Sequence, residues 1–210
     1  PGDAGAWDGK MTAKSPTGNV IVTIPAMDIR MVTLRVIGDS SLICHAWSSK
    51  AKKGMLDKQM KVAKPAKEAK DPKTDFEESL YPMPDGEGYG FPAVAFKSAA
   101  VDACSHVDGV TKVVARGAMH IVGEMVKLNG SPTMREDMVR IGMGTADIRY
   151  RGEFRAWSAE LVIRYNAGVI SPAQITNLFS VAGFAIGVGE WRPQKDGSFG
   201  MFHVALSDEG

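Results

Sequence analysis

Arginine and tryptophan side chains suited to contacts with phosphates and bases recur along the chain. Arg149 and Arg151 alternate along a predicted strand, so they share one face of a sheet. Arg164 lies on the following predicted strand and joins this face if the two strands pair. Arginine forms bidentate hydrogen bonds with phosphate, and aromatic rings such as those of Trp47 and Trp191 stack on unpaired bases. The combination predicts a surface that binds single-stranded nucleic acid.

Acidic residues are interleaved with these arginines and support a second interpretation. Asp147, Glu153 and Glu160 lie on or beside the same predicted strands. Opposite charges at neighbouring positions of a sheet stabilise each other, so the arginines could belong to ion pairs on a solvated face. The sequence leaves both interpretations open.

A lysine-rich segment between residues 50 and 73 is the strongest charge anomaly. It contains nine lysines and only three acids. Its Ala, Lys and Met residues favour helix, while Pro65 and Pro72 interrupt it. The segment is either a solvated, partly mobile insertion or an arm that contacts phosphates. The candidate phosphate contacts on the arm are Lys50, Lys52, Lys53, Lys58 and Lys61.

A first helix of the core is predicted to begin after Phe91-Pro92 and to end at Gly109. Its apolar residues recur at helical spacing, which indicates one buried face. Lys97 lies off that face near the helix start, where backbone N–H groups also favour phosphate. Lys97 is therefore a further candidate contact.

A second core helix is predicted from residues 171–174, which read Ser-Pro-Ala-Gln. Serine caps a helix, proline suits the first helical position and glutamine completes a capping box. Gly183 is predicted to end this helix. A short buried strand over residues 184–186 and a glycine turn over residues 187–189 follow, with Arg192 just beyond the turn as a candidate contact.

Apolar and polar residues alternate at 29–37 and 161–165, which predicts strands with one face in the core. Further strands are predicted at 42–47, 118–128, 137–143, 146–155 and 199–206. Two helices separated by a group of strands form a split βαβ pattern. The predicted fold class is α+β, with a ferredoxin-like or RRM-like antiparallel sheet, two core helices and a basic insertion after the first strand.

Composition and length set the wider expectations. The length and composition of the 210-residue chain predict a flexible N-terminal tail over 1–28 and one domain over 29–207, with an insertion at 50–90. The net charge of +1 means that a nucleic-acid surface must come from local clustering. Cys44 and Cys104 form neither a disulfide framework nor a zinc motif, so a reducing, cytoplasmic location is expected. No membrane span, metal site or cofactor motif is predicted.

The helix that carries Lys97, and the capped helix followed by the Gly187-Val188-Gly189 turn, resemble the CRISPR-associated RAMP superfamily. The resemblance implies a ferredoxin-like core with a glycine-rich loop after the second helix. It also implies, for the backbone-type members, insertions and polymerisation along a guide RNA. Segments 134–144 and 187–193 are similar to uncharacterised phage and prophage proteins. Because ribonucleases of the superfamily often use a histidine as general base, the resemblance makes His45 a candidate for that role.

Three functions follow, in order of preference. The first is non-enzymatic binding of single-stranded nucleic acid, RNA rather than DNA, by a phage-related protein that self-assembles along the strand. The second is an assembly subunit that binds a host or phage protein through apolar residues of the insertion. The third is a metal-independent ribonuclease that uses His45 or His120. The expected partners are therefore single-stranded nucleic acid and further copies of the chain or subunits of a larger assembly.

Overall fold

The computed structural model describes residues 26–63, 69–142 and 144–206. The strands are β1 (Ile29–Gly38), β2 (Leu42–Cys44), β3 (Gly90–Pro92), β4 (Met119–Ile121), β5 (Met125–Asn129), β6 (Pro132–Ile141), β7 (Thr145–Phe154), β8 (Ser158–Asn166) and β9 (Phe202–Val204). The α-helices are α1 (Ser49–Gln59), α2 (Pro72–Glu78), α3 (Ala93–Ala103), α4 (Lys112–Ala118) and α5 (Pro172–Val181). Most of the predicted tail over 1–28 lies outside the described residues.

The main sheet has the order β3-β5-β8-β1-β9, and β4 also pairs with β8. Every pairing in this sheet is antiparallel. Along the chain, β1, α3, the β4–β5 segment, β8, α5 and β9 follow one another in the split βαβ order. The predicted α+β, ferredoxin-like fold class is therefore confirmed.

The core lies between one face of this sheet and the helices α3 and α5. Alternate residues of β8 are buried, and Leu161 lies opposite Leu34 of β1 in the register. Phe96 of α3 and Phe179 of α5 are fully buried in the same cluster. The opposite sheet face carries exposed residues such as Arg164.

A second sheet of three strands has the order β2-β7-β6. The strands β6 and β7 form a long hairpin that is inserted between β5 and β8 of the ferredoxin-like core. β7 belongs to the second sheet and β8 to the main sheet, although these strands are neighbours along the chain. Arginines on β7 therefore do not lie beside arginines on β8.

The lysine-rich insertion forms α1 and α2, which follow β1 and β2. Ser48 caps α1, because its side chain accepts a hydrogen bond from the N–H of Ala51. Asp71 caps α2 in the same way, and Pro72 occupies its first turn. Residues 64–68, which include Pro65, lie outside the described residues.

Two predicted elements near the middle of the chain have other bounds. α3 ends at Ala103 rather than at Gly109, because the chain tightens there into turns such as the bond from the N–H of His106 to the carbonyl of Ala103, 2.8 Å long. The strand predicted over 118–128 is replaced by the end of α4 and the separate strands β4 and β5. The propensity pattern missed α4, which Thr111 caps.

The end of α5 corrects another prediction. The capping box over residues 171–174 is present, but Gly183 does not end the helical path. Residues 182–186 continue it as a π-helical turn, so the strand predicted over 184–186 was wrong. The strand predicted over 199–206 shrinks to β9, which packs against this turn. Gly183 is needed because a Cβ there would collide with the carbonyl oxygen of Phe202.

We expect Gly183→Ala to lower the free energy of unfolding by about 1–3 kcal/mol, the usual cost of overpacking a filled site. Gly117→Ala is the matched control, because Gly117 lies in α4 and a Cβ there would meet open space. It should leave stability unchanged or raise it, since alanine favours helix. Urea unfolding of both variants measures the difference. Equal stability of the two variants would contradict the close approach of the π-helical turn to β9.

None of the helices in the described ranges is both long enough and apolar enough to cross a membrane.

Candidate nucleic-acid interface

A cavity of about 290 Å³ opens where the chain leaves β2, beside α2 and β7. It brings together three of the predicted contacts, Trp47, Arg149 and Arg151, with His45. The remaining lining residues are Ala46, Ser48, Ala51, Lys70, Asp75, Glu78, Ser79, Asp147 and Tyr150. The sequence separates Trp47 from Arg149 by about a hundred residues, so only the fold could place them around one opening.

Ser79 joins two walls of the cavity, β7 and the segment after β2, by hydrogen bonds. Its hydroxyl accepts a 2.7 Å hydrogen bond from the backbone N–H of Gly152, which lies in β7. Its carbonyl accepts a 2.8 Å bond from the N–H of Ala46, just beyond β2. Ser79 is buried and links β7 to the segment that carries Trp47. The sequence carried no signal for this role, because serine is common in loops and its two partners are far away along the chain.

Trp47 lies at the rim of the cavity with 56% of its surface exposed. The next residue, Ser48, caps α1, and the hydroxyl of Ser49 donates a hydrogen bond to the carboxylate of Glu78. These contacts tie the start of α1 to the end of α2. The exposed indole therefore sits at the base of the lysine-rich helix.

Arg149 and Arg151 lie on the same face of β7, as the alternation predicts. Arg149 keeps 36% of its side-chain surface exposed and lies 3.9 Å from Asp147. Arg151 is buried, with 3% of its surface exposed, and its guanidinium lies 3.4 Å from Asp137. Its Nε has no hydrogen-bond partner among the described residues. Arg149 can therefore contact a ligand in solvent, whereas Arg151 is buried in the cavity wall and supports it through Asp137.

Of the acids interleaved with the arginines, Asp147 and Glu153 form ion pairs with them. Arg135 bonds Asp137 at 2.8 Å and Glu153 at 3.1 Å, and Arg155 lies 3.6 Å from Glu153. The guanidinium of Arg135 also lies 4.7 Å from the centre of the Phe199 ring. The arginine face of β7 is thus partly neutralised, and its open charge is smaller than the sequence alone indicates.

His45 on the cavity wall is oriented by Glu190. The His45 Nδ1 lies 3.3 Å from Glu190 Oε1, and the N–H of Glu190 donates to the carbonyl of Ile43. The hydrogen bond from His45 is the largest cause that lowers the pKa of the Glu190 carboxyl, and the charges of Arg151 and Arg192 lower it further. Partial burial raises this pKa and opposes them. Glu190, which follows the glycine turn, therefore positions His45 in the cavity wall.

The charge of the cavity itself is close to balanced. Lys70 donates hydrogen bonds to the carbonyl of Ile148 and, at 2.8 Å, to Asp147. Asp75 and Glu78 also line the opening. Any excess positive potential beside the cavity must therefore come from α1.

The helix α1 carries that charge in solvent. It contains no buried residue, and the predicted contacts Lys50, Lys52, Lys53 and Lys58 all lie on it. Lys61 follows just beyond, exposed and with a positive φ of 58°. Ser48 and Ala51 line the cavity, so the first turn of this helix forms part of its rim.

The remaining predicted contacts lie elsewhere. Arg164 is on β8 in the main sheet and does not join Arg149 and Arg151, because β7 pairs with β2 and β6 instead. Arg192 donates to the carbonyl of Gly189 at 3.0 Å and to Gln194, so it braces the glycine turn. Trp191 packs edge-on against Phe199. Lys97 contacts His120.

Neither cysteine is engaged in a disulfide. Cys44 and Cys104 are both free and buried. Burial raises the pKa of the Cys44 thiol to about 12. Within the described part of the chain, no group of three or more histidine, cysteine, aspartate or glutamate side chains could hold a metal ion.

The sequence matches no family model and no curated protein. Its structure is similar to a chain of the Type III-B Cmr-beta complex bound to cognate target RNA, with a TM-score of 0.51 at 10% identity over 85% of this chain and 59% of that chain. The protein thus spans about three fifths of that neighbour. It is also similar to Cmr6 from Pyrococcus furiosus, with a TM-score of 0.45 at 8% identity over 86% of this chain and 100% of that chain. The likeness to the Cmr-beta chain confirms the predicted resemblance at the level of the fold.

Proposed function

We propose that the protein binds single-stranded nucleic acid at the cavity beside α1, without cleaving it. The observation that carries this proposal is the junction at Trp47, where an exposed indole, a cavity lined by Arg149 and a lysine-rich helix with no buried residue meet. Each component matches one part of a nucleotide. Together they form a continuous site for a base and for the phosphates on either side of it.

The base would stack on Trp47. Stacking requires an aromatic face open to solvent, and the indole exposes 56% of its surface at the cavity rim. A cavity of about 290 Å³ is large enough to admit a base beside the ring. Stacking tolerates any base, so this contact supports binding without sequence preference.

The phosphates would contact Arg149 and the lysines of α1. Arg149 is half-buried and its only ion pair among the described residues is a long one of 3.9 Å to Asp147. A phosphate oxygen could bind its guanidinium in a forked arrangement. The buried Arg151 would not contact the ligand; its ion pair with Asp137 would hold β6 in register with β7. Lysines on α1 would add contacts along the strand.

RNA is the favoured ligand in this proposal. The similar chain in the Cmr-beta complex belongs to an assembly that is bound to target RNA. We propose by analogy that this protein also works in an assembly along a strand, with a second copy or another subunit beside it. A phage origin remains a prediction from sequence.

Trp47→Ala tests the stacking contact. Loss of one stacked base costs about 1–3 kcal/mol, so the dissociation constant should rise about 5- to 150-fold. Fluorescence anisotropy with labelled single-stranded RNA and DNA, in about 50–200 mM salt, measures this change and ranks the two ligands. Phe184→Ala is the matched control, since Phe184 is an aromatic residue with 74% exposure outside the cavity.

Unchanged affinity in Trp47→Ala, or an equal loss in Phe184→Ala, would remove Trp47 from the site. Absence of binding by the unaltered protein at the lowest salt would refute the proposed function. Electrophoresis of the recovered RNA would separate binding from cleavage: shortened products would favour the ribonuclease alternative, in which the Glu190-bonded His45 is the candidate base.

A protein-binding role is the second candidate, because α1 and the residues just after it also expose apolar side chains. Their exposed fractions are 49% for Met55, 54% for Leu56, 66% for Met60 and 51% for Val62. A partner bound through these residues would be retained at high salt and lost when they are replaced by serine. Nucleic-acid binding should show the opposite dependence on salt.

A further inference from the structure

A second cationic cluster forms where α3, α4 and β4 meet. The Nζ of Lys97 on α3 lies 2.9 Å from the Nδ1 of His120 on β4. Partial burial is the main cause that lowers the pKa of Lys97, and the positive charge of Arg116 on α4 lowers it further. Lys97 and His120 are thus in contact, and Arg116 lies on α4, which packs against α3.

Arg164 extends this cluster onto the sheet. It lies directly opposite His120 in the antiparallel pairing of β4 with β8. Side chains of directly opposite residues share a face, with Cβ atoms about 5 Å apart. Arg164 and His120 are both exposed on this face, so a ligand bound beside them could contact both side chains.

No carboxylate in the described part of the chain forms an ion pair with Lys97, Arg116 or Arg164. Asp102 feels the charge of Arg116, but its two oxygens are held by Lys112 at 3.0 Å and by Gln194 at 2.8 Å. The net positive charge of the cluster is thus offset by no ion pair in the described part of the chain. Folding brings these groups together at an electrostatic cost, which a bound anion would remove.

We propose that Lys97, Arg116, His120 and Arg164 form a phosphate-binding site. Lys97 contacts an imidazole nitrogen of His120, and such a nitrogen is a weaker acceptor than a phosphate oxygen. A bound phosphate would take that hydrogen bond and would accept forked bonds from Arg116 or Arg164. This site shares no residue with the cavity at Trp47, so it goes beyond the proposed function. Its phosphate could belong to a nucleic-acid backbone or to a free pyrophosphate-containing molecule.

Inorganic pyrophosphate is the probe, titrated into the full chain at low salt by isothermal titration calorimetry. The double variant Lys97→Met with Arg116→Gln should weaken pyrophosphate binding by about tenfold or more, because it removes two charge-assisted contacts. The matched control is Lys127→Gln with Arg140→Gln, which removes the same charge from exposed positions elsewhere. Thermal unfolding checks that all variants fold, and His120→Gln provides a second, milder change at the site.

A loss confined to the Lys97 and His120 variants supports the site. If the double variant also weakens binding of single-stranded RNA, the phosphate belongs to the nucleic-acid backbone; if RNA affinity is unchanged, the ligand is a free phosphate compound. Absence of pyrophosphate binding by the unaltered protein, or an equal loss in the control, overturns the site. Because the probe is not a nucleic acid and the cavity is unchanged, that result would leave the proposed function standing.

Discussion

Neutralising the lysines of α1 is expected to produce the largest loss of nucleic-acid affinity and to flatten its salt dependence. The variant replaces Lys50, Lys52, Lys53 and Lys58 by glutamine. Each phosphate contact to a single strand contributes about 0.7 to the slope of log affinity against log salt, because binding releases condensed counterions. If all the lysines contact phosphates, the slope should fall by about 3. Fluorescence anisotropy over a salt series measures it.

The helix itself should survive this change. No residue of α1 is buried, so its lysines support no core packing. Glutamine has nearly the helix propensity of lysine. A loss of affinity would therefore reflect lost charge, and circular dichroism of the variant would check that helix content is retained.

The control must remove equal charge elsewhere. Glutamine at Lys127, Arg140, Arg155 and Lys195 does so, since all of these residues are outside the cavity and α1. It should leave the slope nearly unchanged. If both quadruple variants lose affinity equally, binding responds to net charge alone and α1 is not a specific arm. A variant of α1 that binds as well as the unaltered protein would leave the apolar, protein-binding interpretation of this helix.

Replacing Asp137 by leucine is expected to have the largest effect on stability. Asp137 is 5% exposed and lies 3.4 Å from Arg151 and 2.8 Å from Arg135. Removing one partner of a buried ion pair leaves an uncompensated charge and costs about 3–5 kcal/mol. Arg135 retains Glu153 at 3.1 Å, whereas Arg151 has no other ion pair among the described residues. Urea unfolding should show the loss as a lower midpoint with an unchanged slope.

A double variant separates this mechanism from a simple packing defect. Asp137→Leu combined with Arg151→Met removes both charges and fills the space with apolar groups, so most of the lost stability should return. The control is Glu87→Leu, which breaks the exposed 3.8 Å pair with Lys127. An exposed pair contributes about 0–1 kcal/mol, so this control should change little. If the double variant is as unstable as Asp137→Leu alone, charge burial is not the cause.

Local patterns predicted the elements whose signals lie within one segment. The capped start of α5 depends on residues 171–174, and the sequence contains all of them in order. The strand β8 follows from strict alternation, with Leu161 and Ile163 on the buried face. The helical character of α1 and α2 follows from composition. In each case the structure depends on neighbours along the chain.

Local patterns could not predict which distant strands pair with each other. Alternation places Arg149 and Arg151 on one face, but it does not say which strand lies beside β7. The structure pairs β7 with β2 and β6, which separates these residues from Arg164 and buries Arg151 beside Asp137. Gly183 shows the same limit, because the contact that requires glycine is with Phe202 on another element.

The sequence by itself determined the α+β class, the basic insertion and the residue types available for binding phosphates and bases. These properties follow from composition, periodicity and capping, which act over a few residues. Only the tertiary structure decided that Trp47 and Arg149 share one cavity and that Lys97 meets His120. Those contacts join residues far apart in sequence, and burial of a common apolar core, rather than any local signal, selects which distant segments meet.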